Sequence, residues 1–80
     1  MMKTKIINLG GVVFEGEAKA VNAHTQSGEI TILKHHQPIL STLAPESRIH
    51  IDTNEGSQEF ATTSGFIHFD ANNVLTILIQ

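Results

Sequence analysis

Apolar and polar residues alternate along much of this chain with a period of two, and turn-forming residues interrupt the alternation every six to ten positions. Arg48, His50 and Asp52 alternate with Ile49 and Ile51, the pattern of a strand with one dry and one wet face. Asn54-Glu55-Gly56-Ser57 then reads as a turn. Gln58 to Thr63 runs back, with Phe60 and Thr62 alternating against Glu59 and Ala61, so the two runs predict a hairpin.

The rest of the chain reads the same way. Lys3 to Leu9 predicts a first strand that stops at Gly10-Gly11, and Val12 to Phe14 a short strand that stops at Gly16. Ala18 to His24 alternates weakly, with Ala18, Ala20 and Asn22 on one side. Ser27-Gly28 is a turn, and Glu29 to Leu33 leaves it as a strand. Pro38 makes Lys34 to Pro38 irregular, because it removes a donor and biases Gln37 away from helix. Ile39 to Ala44 is the one helical candidate, a short element ended by Pro45. Gly65 precedes a strand over Phe66 to Phe69, Asp70 to Asn73 is a turn, and Val74 to Ile79 is the last strand. Phe14, Phe60, Phe66 and Phe69 all sit in apolar runs and are assigned to the core. The spacing of turns predicts an all-β fold, a single small sandwich or barrel over residues 1–80.

Composition narrows the function classes. Eighty residues make one domain, with little room for a deep cleft. An apolar fraction of 40% against 16% charged is enough to bury a core, so the chain is not disordered. No stretch approaches the roughly 20 apolar residues of a membrane-spanning helix, and the N-terminus, with Lys3 and Lys5, does not read as a signal peptide. A net charge of −3 with scattered basic residues argues against nucleic-acid binding. The absence of Cys removes disulfides, thiolate zinc sites and thiol nucleophiles.

Catalytic and metal-binding patterns are lacking. There is no Gly-x-Ser-x-Gly elbow, no phosphate loop and no dinucleotide fingerprint. Glu15 and Glu17 flank Gly16 as solvated charges. His24, His35, His36, His50 and His68 are many for so short a chain, yet none pair at the spacing that sets two imidazoles on one helix face. No catalytic residue, cofactor or metal is assigned. A free-standing sandwich binding a metal or small ligand through these His residues is the alternative reading.

The segment from Ser27 to Leu43 stands out: a Gly28-Glu29 turn, an apolar strand ending in Ile32-Leu33, a His36-x-Pro38 bend, then Ile39, Leu40 and Leu43. This succession resembles the N-terminal domain of the ε subunit of F-type ATP synthases, called δ in mitochondria. Val13-Phe14-Glu15-Gly16-Glu17 is similar to that family's early Phe-x-Gly segment, Phe60-Ala61 through Gly65-Phe66 to its Ser-Gly-Gly-Phe strand and turn, and Asn73 to Leu78 to its closing strand. There are departures. Lys34-His35 stands where the family has Pro-Gly, Thr31 where a Gly is common, and Ser64 at the first Gly of the Gly-Gly pair. The family's C-terminal helical pair has no counterpart in these 80 residues.

The resemblance implies a β-sandwich of about ten short strands in two sheets. It implies a non-catalytic central-stalk subunit that links γ to the membrane c-ring and helps couple ion flow to ATP synthesis. Its partners would be γ and the polar loops of the c-ring, with no membrane insertion. Its location would be peripheral, at the cytoplasmic face of the bacterial inner membrane. Gly28 and Glu29 would face the c-ring, and His36, Pro38, Ile39 and Leu40 would face γ. A surface shaped for γ is also one through which the isolated chain can self-associate.

Overall fold

In a computed structural model that describes residues 1–80, the chain forms nine strands and no helix. They are β1 (Met2–Asn8), β2 (Gly11–Ala18), β3 (Ala20–Thr25), β4 (Gly28–Leu33), β5 (Ile39–Thr42), β6 (Ser47–Thr53), β7 (Gly56–Thr62), β8 (Gly65–Phe69) and β9 (Val74–Ile79). Two sheets result, a five-stranded one in the order β2-β1-β9-β8-β5 and a four-stranded one in the order β4-β3-β6-β7. All pairs are antiparallel except β1 with β9, which run parallel at the centre of the larger sheet.

Alternation decides which side chains meet between the sheets. Met2, Ile6, Leu75, Ile77, Ile67 and Phe69 point inward from the larger sheet, and Val21, Ala23, Ile32, Ile49 and Ile51 from the smaller. Each fully buried Ile or Leu contributes about 1.5–3 kcal/mol relative to an exposed one. Phe14 and Phe60 meet edge to face at 6.1 Å and close one side of the sandwich, packing on the core while half-buried. The other side is tied by a bridge between Thr25 and Leu43.

Three hairpins share one local design. Asn8, Thr25 and Thr53 each accept the backbone N–H two residues on, at 2.8, 3.1 and 3.1 Å. Two turn residues follow, and the next strand opens on Gly11, Gly28 or Gly56 at φ 125°, 124° and 128°. Those φ values are open to glycine and strained for any side chain. Gly65 is required for a second reason: a Cβ there would overlap the Leu78 carbonyl of the adjacent strand.

The hairpin read over residues 48–63 forms, with Ile49 opposite Phe60 and Ile51 opposite Gln58. Four expectations change. Ile39–Thr42 is a strand, not a helix, because its backbone groups pair with β8. Gly16 does not end β2, which runs on to Ala18; Val13 is the extra residue of a bulge, with Ile6 opposite Phe14 and Ile7 opposite Val12. In β3 the inward residues are Val21 and Ala23, and Ala18 is buried as the end of β2. Phe66 is outside the core, 52% exposed, because Ile67 and Phe69 take the inward positions of β8.

Candidate functional site

The two sheets present different outer faces. Across the larger sheet, the pairings Thr42–Phe66, Phe66–Leu78, Leu78–Ile7 and Ile7–Val12 set five residues in one transverse row. Four of the five are apolar, and Val12, Phe66 and Leu78 are about half exposed. The neighbouring row runs Leu40, His68, Thr76, Lys5 and Glu15. Leu40 is 73% exposed and extends the apolar surface, while Lys5 and Glu15 form an ion pair at 3.6 Å on its far margin. Leu40, Phe66, His68, Thr76 and Leu78 line a shallow groove on this face.

The outer face of the smaller sheet is polar. His50 lies between Asp52 (3.2 Å) and Glu59 (3.5 Å), and Arg48 pairs with Glu59 at 3.7 Å. The Ser57 hydroxyl donates to Asp52 at 2.6 Å. That bond holds the Asp52 carboxyl below the ordinary carboxylate range; partial desolvation opposes it, and the hydrogen bond and charge of His50 and the charge of Lys19 assist. Asn22 donates to the Ile30 carbonyl and to Thr31. Arg48, His50, Asp52, Ser57, Glu59 and Asn22 are therefore already partnered within this face. No set of three or more His, Asp or Glu side chains converges to hold a metal ion.

The residues singled out in the sequence fall at two ends of the sandwich. Gly28 and Glu29 open β4 at the tip of the β3–β4 hairpin, where Thr25 donates to the Gly28 carbonyl at 2.9 Å. Glu29 is exposed and faces His24 across the strand pair, 4.0 Å from its Nε2. His36 and Pro38 follow the other end of β4, roughly 17 Å away along a six-residue strand.

The Lys34–Pro38 bend opens on a turn in which the His36 N–H donates to the Leu33 carbonyl at 2.9 Å. His35 takes the left-handed position of that turn, φ 68°, where glycine is preferred. The His36 ring packs edge-on against Phe69 at 6.2 Å, and its Nδ1 lies 2.6 Å from the Gln37 carbonyl oxygen. Pro38 is exposed. Ile39 points inward onto the core and Leu40 outward. Phe66, Leu78, Ile7 and Val12 were missed by sequence reasoning. Parity finds three of them: with Ile67, Ile77 and Ile6 inward, Phe66, Leu78 and Ile7 must face out. Val12 follows only from the bulge at Val13, since unbroken alternation from Phe14 would turn it inward.

All 80 residues match the sequence model of the family described as ATP synthase, Delta/Epsilon chain, beta-sandwich domain. An ATP synthase epsilon chain from Persephonella marina is 32% identical over 79 residues, covering 98% of this chain and 57% of that relative. This chain spans about half the length of the curated relatives it matches. Among solved structures, a chain from the Euglena gracilis mitochondrial ATP synthase (OSCP/F1/c-ring, rotational state 1) superposes with a TM-score of 0.88 at 20% identity. The match covers 98% of this chain and 49% of that one. A chain from the central stalk and c-ring of the Tetrahymena thermophila mitochondrial ATP synthase gives 0.83 at 18% identity, over 99% of this chain and 63% of that one. At such identities these likenesses speak for the fold, which is the same two-sheet sandwich. With the family's sequence model matched from end to end, the chain belongs to the ATP synthase delta/epsilon family, as its β-sandwich domain.

Proposed function

We propose that this chain is the sandwich domain of a non-catalytic central-stalk subunit, joining γ to the c-ring and helping couple ion movement to ATP synthesis. Family membership supports that reading, as do the assemblies that hold the two solved relatives, an F1/c-ring complex and a central stalk with its c-ring. In a bacterial cell such a subunit would be peripheral, at the cytoplasmic side of the inner membrane.

The observation that carries the proposal is the inequality of the two outer faces. A rotor joint transmits torque through surfaces, so one face must bury apolar area against a partner. The row Phe66–Leu78–Ile7–Val12, with Leu40 beside it, supplies apolar anchors. Lys5, Glu15 and His68 supply a polar margin, the arrangement of an interface core and rim. We assign this face to γ. Leu40 would contact it directly, Pro38 would border it, and His36 and Ile39 would support it from Phe69 and the core. Gly28 and Glu29, at the far end of β4, would meet the polar loops of the c-ring, where the Glu29 carboxylate suits a basic side chain.

Titration of the chain against purified γ from the same organism tests this. The expected result is one-to-one binding with a Kd below about 1 μM, lost in Phe66→Glu and Leu40→Asp while the melting temperature holds. Absence of binding at about 10 μM would overturn the stalk assignment.

A further inference from the structure

Resting on the c-ring reading above, we infer that His24 belongs to the Glu29 docking tip and makes it proton-sensitive: when His24 takes up a proton, it claims the Glu29 carboxylate and weakens its hold on a basic loop. His24 and Glu29 are directly paired residues of β3 and β4, their side chains on the outer face at 4.0 Å, each about half exposed. With a neutral imidazole the tip carries the single negative charge of Glu29. With an imidazolium the pair is internally neutral, and a basic partner must displace His24 to reach the carboxylate.

The other ionisable groups on this face do not take over that role. Arg48 of β6 is paired with Glu59 of β7, and His50 of β6 lies between Glu59 and Asp52. Lys19, in the bend before β3, acts on Asp52. Glu46 sits in the turn after β5, two residues beyond Ala44, whose N–H donates to the His24 carbonyl at 2.8 Å. Imidazole is the side chain whose charge changes between about pH 5 and 8, so the tip responds to acidification in a range the Glu29 carboxylate alone does not sense.

The test is rebinding of the chain to a purified γ–c-ring assembly stripped of this subunit, at low salt, at about pH 6 and about pH 8. Wild type, His24→Gln and Glu29→Gln are compared, with γ alone as a parallel target. Wild type should bind about two- to five-fold more weakly at the lower pH. His24→Gln should lose that dependence while keeping the tighter binding, and neither effect should be seen with γ alone. Glu29→Gln should bind weakly at both pH values. If His24→Gln keeps the wild-type pH dependence while Glu29→Gln is weakened, the His24 inference falls and the c-ring reading stands. If Glu29→Gln binds like wild type at both pH values, the c-ring reading falls and the His24 inference with it.

Discussion

The backbone N–H of His35 donates to the side-chain oxygen of Asn73 at 2.6 Å, across 38 residues of sequence. Both residues are left-handed, at φ 68° and 60°. The bend after β4 and the turn before β9 thus brace each other, each holding the other in a conformation that side chains resist. This explains how Lys34-His35 forms a turn where the family has Pro-Gly: Asn73 supplies from outside what glycine supplies from within.

Relief of that strain should be measurable. A left-handed residue other than glycine carries about 1–2 kcal/mol, and a new glycine costs about 0.4–1 kcal/mol through the unfolded chain. His35→Gly should therefore raise stability by about 0.5–1 kcal/mol. Asn73→Ala loses the bond and keeps the strain, and should lower stability by about 1–2 kcal/mol. Urea unfolding reads both, and a destabilised His35→Gly would contradict the account.

Adjacent Ile39 and Leu40 should part company. Ile39 packs on the core, so Ile39→Ala should cost about 2 kcal/mol in denaturant unfolding. Leu40 faces outward, so Leu40→Ala should change stability by less than about 0.5 kcal/mol and register only as weaker γ binding. Equal stability losses at the two positions would contradict the inward–outward assignment.

Gly65→Ala should be severe. The added methyl meets the Leu78 carbonyl, a backbone group fixed within the ladder. A cost of about 3 kcal/mol or more is expected, against a total of only about 3–5 kcal/mol for a domain of this size. Loss of the cooperative thermal transition is the readout; a melting temperature within a few degrees of wild type would refute the clash.

Asp52 makes an acid-side prediction. Its carboxyl is held below the ordinary range chiefly by Ser57. A depressed folded-state value means stability that is present above the unfolded value and lost as pH falls through the folded one. Ser57→Ala should move the Asp52 titration upward, as read by carboxyl NMR shifts, and the variant's stability deficit should shrink as pH falls through the lowered folded-state value and both forms become protonated. A titration unchanged by the substitution would remove Ser57 as the cause.

Much of this fold is legible in the sequence because strand parity is a local property. Ile49 and Ile51 face in, Arg48 and His50 face out, and Asn54-Glu55 turns the chain without reference to anything distant. The Gly28-Glu29 tip is equally local. Pairing is another matter. Ile39–Thr42 has the apolar spacing of a helical turn, and only β8, more than twenty residues later, makes it a strand. The apolar outer row is less legible still. Its residues come from five strands, and Phe66 looks like core until Ile67 and Phe69 are known to have taken the inward places.

The parallel union of β1 with β9 has a consequence for how the molecule is made. On the ribosome, the first strand emerges with β2 and must wait for the last one. Until Val74 to Ile79 has cleared the exit tunnel, the larger sheet is two separate ribbons, β2–β1 and β8–β5, with no ladder between them. The outer row that we assign to γ does not yet exist, because Leu78 is its middle member. A nascent chain therefore has no assembled apolar face to offer, and on the stalk reading proposed above it cannot dock on γ until synthesis through β9 is finished.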